Sequence, residues 1–93
     1  MKLKEIEAKI NEVDYAIDKE VERGELKPST TRGWLVGLAI ATTVWNIKVV
    51  DSGAITQRYE LFEYGMVLEI KRLGTPKTPY EQGIKESLEW CLK

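Results

Sequence analysis

The sequence predicts an all-α fold, a compact four-helix, bundle-like domain built around one central apolar helix. The stretch 34–50, which reads WLVGLAIATTVWNIKVV, contains one charged residue, Lys48. The segments on both sides of it place their apolar residues three and four positions apart, which is the spacing of amphipathic helices. Helix-capping residues and prolines separate these segments. Together these observations favour helices packed around the apolar stretch.

Composition limits the kinds of protein that this chain can be. Its 93 residues form one predicted domain, 1–93, near the size at which a single hydrophobic core is only marginally sufficient. A net charge of −1 creates no overall attraction to nucleic acid or to an anionic membrane, so we expect neither as a partner.

The chain contains no histidine and one cysteine, Cys91. This excludes histidine-based nucleophile systems, histidine-ligated or multi-thiolate zinc sites within the chain, and an internal disulfide. The N-terminal residues are amphipathic and differ from the apolar core of a signal peptide. We therefore expect a cytoplasmic protein that has no cofactor and acts by binding rather than by catalysis.

The first helix is predicted from residue 2 to residue 23, and Gly24 follows it as a C-cap. Its apolar stripe is narrow, about 80° wide, which is also typical of coiled-coil helices. The residues of the stripe are Leu3, Ile6, Ile10, Val13, Ile17 and Val21.

The second helix is predicted to follow a break at 25–31. Pro28 disfavours helix at the residue before it, and Ser29 or Thr30 can serve as the N-cap. The helix is apolar on all sides, so protein or lipid must surround it. We expect a core helix that the other three helices surround; the alternative is a membrane span, since seventeen residues reach the lower limit for one.

A strand is the competing interpretation of its second half. Residues 43–50 alternate and are rich in β-branched side chains, and 51–53 could form a turn. The fold would then be α+β, with a hairpin at 43–61.

The third and fourth helices have clearer signals. The third is predicted from Ile55 to Leu73, with Gly65 in its interior for a conformational or a close-packing reason and Gly74 as its C-cap. Thr78, Pro79 and Glu81 predict the start of the fourth helix as a capping box. Its predicted buried face consists of Tyr80, Ile84, Leu88 and Cys91.

Several apolar residues lie off the main apolar faces of their helices. Surplus apolar surface of this kind is typical of oligomers and of proteins that bind other proteins. The sequence therefore predicts a small non-enzymatic interaction or inhibitor protein of phage or mobile-element type, associating with itself and with another protein. The predicted interface residues are Tyr15, Leu61, Tyr64, Leu68 and Trp90.

Two pairs of carboxylates offer an enzymatic alternative. Glu60 and Glu63, with Glu86 and Glu89, could hold Mg²⁺ if both pairs faced each other across a helical hairpin. The spacing resembles that of small helical nucleotide pyrophosphatases of the MazG type, which implies a Mg²⁺-dependent nucleotide pyrophosphohydrolase. That family usually has aspartate at the final acidic position. Glu86 and Glu89 also point away from the predicted buried face, so we expect solvated glutamates and no metal site.

A third hypothesis is a small nucleotide-ligand sponge that binds at a subunit junction. Lys71 and Arg72, with Tyr64 nearby, are possible contacts for an anion. The segment 84–93, IKESLEWCLK, resembles the closing helix of phage proteins that sequester cyclic-nucleotide immune signals. This resemblance implies binding of a nucleotide without chemistry on it.

Overall fold

The fold is all-α, as the helical periodicity predicts. The computed structural model describes residues 2–50 and 58–93, and no strand occurs within those ranges. Residues 43–50 are helical, so the hairpin alternative is wrong for that part; its turn at 51–53 and the predicted helix start at Ile55 lie outside the described residues. The helices are α1 (Lys2–Glu22), α2 (Thr30–Trp45) with a π-helical continuation at Asn46–Val50, α3 (Arg58–Leu73) and α4 (Pro79–Trp90).

The junction between α1 and α2 is held by a buried carboxylate. Gly24 ends α1 with a φ of +76°, a backbone conformation that suits glycine. Ser29 caps α2 by accepting from the Arg32 N–H at 3.2 Å, and its own hydroxyl donates to Glu20 at 2.9 Å. The cap of α2 is therefore tied to the last turns of α1.

The packing of α2 on α4 is the tightest in the molecule. A Cβ at Gly33 would overlap the Tyr80 carbonyl oxygen, and one at Gly83 would overlap the Thr30 carbonyl oxygen. The two helices therefore meet at backbone distance along stripes of small residues. Ser87, fully buried there, satisfies its hydroxyl by donating to the Ile84 carbonyl at 2.8 Å.

The capping box of α4 forms with one difference. Thr78 Oγ1 accepts from the Glu81 N–H at 3.1 Å, as predicted. The Glu81 carboxylate reaches back to the Lys77 N–H at 3.3 Å, one residue before the capping residue. The predicted face of α4 is buried, with Leu88 and Cys91 at its centre.

Helix α3 packs on the second half of α2. Gly65 faces Val44, whose side chain would lie 2.7 Å from an added Cβ, which confirms a close-packing reason for this glycine. The Trp45 and Phe62 rings meet edge to face, with centroids 5.2 Å apart. Gly74 ends α3 with a φ of +71°.

One part of the predicted architecture is wrong, because the other helices do not enclose α2 completely. Ala39, Thr43, Asn46, Ile47 and Val50 are exposed along one side of the helix. Ile47 and Val50 expose 55% and 60% of their surface. Three amphipathic helices cover only the remaining sides of a helix that is apolar all round, so an apolar side stays open.

Within the described residues, Thr30–Val50 is also the one helix that is long and apolar enough to cross a membrane. This criterion uses length and composition alone, and a core helix of a soluble protein meets it too.

Candidate interaction surface

The open side of α2 carries no charged residue. Its outward positions include Val36, Ala39, Thr43 and Ile47, and each of these side chains is apolar or uncharged. Lys48, the charged residue in this part of the helix, lies instead against Gly65 of α3. The open side is therefore an uncharged stripe that runs along the helix.

The apolar edge of α3, like the open side of α2, faces away from α1. Lys9 of α1 approaches the ring of Trp34, so the Trp34 side of α2 faces α1. Thr43 is nine residues further along α2, about two and a half turns, and therefore lies on the side of the helix that points away from α1. Tyr59 of α3 is near Glu5 of α1. Leu68 is nine residues after Tyr59 and therefore lies on the opposite side of α3. Thr43 and Leu68 therefore both face away from α1.

A groove of about 410 Å³ follows the open side of α2 and reaches Glu69 of α3. A second hollow of about 250 Å³ shares Ile40 and Glu69 with it and continues to Arg72 and the buried face of α4. We define the α2–α3 face as the groove residues of α2 together with the apolar edge of α3. Its residues are Val36, Ala39, Ile40, Thr43, Ile47, Leu61, Tyr64 and Leu68.

Charged residues occur at the border of the α2–α3 face. Glu69 and Arg72 form an ion pair of 3.6 Å, in which the arginine side chain remains largely exposed. Lys71 is exposed as well. Of the two predicted anion contacts, Arg72 thus already has a carboxylate partner and Lys71 lies in solvent, on the same helix as Tyr64.

The five predicted interface residues fall in three places. Leu61, Tyr64 and Leu68 belong to the α2–α3 face, where Tyr64 is 61% exposed and Leu61 is half-buried. Tyr15 lies on α1, nine residues from the fully buried Ile6, and so faces away from the core. Its ring carries the Lys19 ammonium at 5.1 Å from the centroid.

Trp90, the fifth, forms an aromatic corner with Trp34. The two ring centroids lie 6.0 Å apart with the planes tilted by 60°. The Lys9 ammonium lies 5.4 Å from the Trp34 centroid and 5.5 Å from the Trp90 centroid. The Lys2 ammonium approaches Trp90 at 5.8 Å and donates to the Lys93 carbonyl at 2.7 Å. This corner joins α1 to α4 through cation–π contacts.

The four glutamates of the metal alternative do not form a cluster. Glu60 and Glu63 lie on α3, whereas Glu86 and Glu89 border a hollow of about 410 Å³ beside the Trp34–Trp90 corner. Among the described residues, no group of three or more acidic or cysteine side chains is placed to hold a metal ion.

Two buried groups, Cys91 and Glu20, have shifted pKa values. Burial raises the pKa of the Cys91 thiol to about 11, although the Lys2 charge acts in the opposite direction. Hydrogen bonds from Thr31 and Ser29 and the charge of Arg32 lower the pKa of Glu20 against the effect of its burial. Glu20 ties α1 to α2 through these contacts, and Cys91 lies in the hydrophobic core.

The open stripe of α2 is the part of the surface that the sequence reasoning missed. A signal for it was present: Gly33, Gly37 and Ala41 are spaced four apart, as are Gly83, Ser87 and Cys91. Small residues at this spacing indicate the sides along which two helices approach closely. Placing α4 on that side of α2 leaves the opposite side for something else to cover.

A comparison with known protein families, with curated proteins and with solved structures finds no match to this chain.

Proposed function

We propose that this chain is a small non-catalytic protein that acts by binding another polypeptide through the α2–α3 face. The observation that supports this most is the uncharged, open side of α2 beside the apolar edge of α3. Monomeric soluble proteins rarely expose continuous apolar surface of this extent without a binding role.

The surface has the shape that helical partners use. Its groove runs along α2 and reaches Glu69 of α3, and most of its lining side chains are aliphatic. Amphipathic helices bind in grooves of this kind by inserting apolar side chains at helical spacing. The border carries both signs of charge through Glu69 and Arg72, which gives a partner points of orientation at the polar rim.

The cellular context is part of the same proposal. A single buried cysteine with a raised pKa is compatible with a reducing cytoplasm, and the small size with an inhibitor or interaction protein of phage or mobile-element type. The hydrolase and sponge alternatives gain no supporting geometry, because the four glutamates stay apart and Arg72 is already paired.

The experiment compares capture by three purified chains: the wild type, Leu68→Glu in the α2–α3 face, and Val21→Glu on α1. Both positions are exposed aliphatic residues of helices, so they match in chemistry. Captured proteins are identified by mass spectrometry, and binding is then measured with the purified partner. We expect Leu68→Glu to weaken binding at least about tenfold and Val21→Glu to leave it unchanged. Equal affinity of all three chains, or the absence of any polypeptide, a second copy of the chain included, whose binding needs this face, would contradict the proposal.

A further inference from the structure

We infer that the α2–α3 face binds a second copy of this chain, in a two-fold dimer in which the two α2 helices cross antiparallel. The inference rests on the proposed function and names the partner at that face.

Side-chain sizes along the open stripe are arranged symmetrically about its middle. Ala39 and Thr43 are small, lie one turn apart, and stand between the larger Val36 and Ile47. The midpoint of the small pair is position 41, and the midpoint of the larger pair falls within one residue of it. A two-fold axis near position 41 would therefore place Ala39 opposite Thr43 of the other copy and Val36 opposite Ile47.

Small residues at the crossing point let the helix axes approach, and the larger residues then fill the space on each side. Interfaces with two-fold symmetry require such self-complementarity, since each residue on one copy meets the corresponding patch of the other.

The open side of α2 also lacks charges that would repel a second copy. A residue near a two-fold axis meets its own copy, so a charged residue there would be repelled by itself. The open side of α2 from position 35 to position 47 has no charged residue. The net charge of the chain is −1, so two copies repel each other only weakly. At the rim, Glu69 and Arg72 pair with each other within each copy, so this ion pair adds no net charge to the interface.

The area of the face sets the strength of the expected contact. The open side of α2, from Val36 to Val50, spans 15 residues and is about 22 Å long, and two neighbouring helices are about 20 Å wide. A face of this size would bury roughly 450 Å² on each copy, about 900 Å² in total, which is the size of a weak, reversible interface. A bilayer fits the fold less well, because α1 and α4 cover the other sides of α2 with amphipathic helices.

The experiment uses the full chain with two cysteines introduced at the expected axis, Ala39→Cys and Thr43→Cys together. The matched control carries Asn11→Cys and Tyr15→Cys, which are also exposed and one turn apart, on the outer side of α1. The native Cys91 is fully buried and does not compete. Circular dichroism verifies that both variants are folded, and the rate of covalent dimer formation under mild oxidation is followed on non-reducing gels.

We expect the Ala39→Cys/Thr43→Cys chain to form covalent dimers roughly 100-fold faster than the control. Thiols held together in a dimer have an effective concentration near 1 mM, far above that of free chains at about 10 µM. Equal rates would overturn the inference.

If the introduced cysteines disturb the fold, the oligomeric state of the chain without them is measured by sedimentation instead. A dimer that dissociates when Ile47 is changed to Glu supports the inference, whereas a monomer at all concentrations overturns it. A monomer that binds phosphatidylcholine vesicles also overturns it and assigns the face to lipid. A monomer that still captures another protein through Leu68 overturns the inference alone and leaves the proposed function intact.

Discussion

Gly37 of α2 lies so close to Ser87 of α4 that a β-carbon on Gly37 would overlap the serine hydroxyl oxygen. The same closeness recurs at Gly33, where the obstacle is the backbone of Tyr80. Because only small residues lie between the helices, α4 packs closely along one side of α2 and leaves Ala39, Thr43 and Ile47 exposed. The open side of α2, and with it the proposed binding surface, follows from this geometry.

The first expected outcome concerns Gly33→Ala. Alanine favours a helix over glycine by about 1 kcal/mol, but the added methyl would meet the Tyr80 carbonyl, which belongs to the backbone and cannot rotate away. Overpacking of this kind costs about 1–3 kcal/mol. We expect the free energy of unfolding in urea to fall by about 2 kcal/mol. Asn11→Ala, on the exposed surface of α1, serves as the control and should leave stability equal or slightly higher. A Gly33→Ala chain more stable than the wild type would refute the close crossing.

The second concerns Glu20, the buried carboxylate at the junction of α1 and α2. Glu20→Gln keeps the size of the side chain but removes the charge that Ser29 and Arg32 stabilise. We expect a loss of about 1–2 kcal/mol in the free energy of unfolding, typical of a charged hydrogen-bonded group. Glu22→Gln, whose ion pair with Lys19 is exposed, should change stability by less than about 0.5 kcal/mol. Equal effects of the two substitutions would contradict the structure.

The same carboxylate makes stability depend on pH. The pKa of Glu20 is lowered in the folded chain from its ordinary 4.5, so folding favours the charged form. Its contribution is complete above pH 4.5 and is lost as the pH falls through the lower folded pKa. Acid titration of the wild type should therefore show a steeper loss of stability below pH 4.5 than that of Glu20→Gln. Parallel curves would show that Glu20 does not titrate in this way.

A third test addresses the aromatic corner. Lys9→Gln removes the ammonium that lies within 5.5 Å of both ring centroids. Each cation–π contact contributes about 0.5–1 kcal/mol, so we expect a loss of about 1 kcal/mol. Lys4→Gln, an exposed residue of the same helix, should be neutral. If both substitutions have the same effect in urea denaturation, the rings do not hold α1 in place.

The fourth concerns Cys91. Its pKa is raised to about 11 from an ordinary 9.0, so at pH 8 its thiolate fraction falls roughly 100-fold. We expect slow labelling by a thiol reagent in the folded chain and rapid labelling in urea. Fast labelling of the folded chain would mean that the end of α4 opens, and would remove the basis for treating Cys91 as silent in the disulfide experiment.

Most of the fold could be predicted from local signals in the sequence. Gly24, Gly74 and Thr78 mark helix ends through backbone conformation and capping, which depend on few neighbours. The burial of Leu88 and Cys91 follows from helical spacing alone. These features belong to single helices, so the sequence contains them directly.

The sides of α2 that the other helices bury could not be predicted in the same way. A helix that is apolar on every side has no single buried face, so its hydrophobic periodicity does not indicate which side contacts α1, α3 or α4. Only the small residues Gly33 and Gly37 distinguish one side, and their role depends on Gly83 and Ser87, each fifty residues further along the chain. For the same reason Leu61, Tyr64 and Leu68 could be recognised as surplus apolar surface, whereas Thr43 and Ile47 beside them could not.

The most direct test of self-association through the α2–α3 face is the mass of the chain in solution, measured by light scattering during size-exclusion chromatography. The wild type and Val21→Glu should both elute with twice the 10.7 kDa of one chain, and Ile47→Glu should elute with the mass of a single chain. A wild-type chain that remains at 10.7 kDa, or a dimer that Ile47→Glu leaves undisturbed, would contradict self-association through the α2–α3 face.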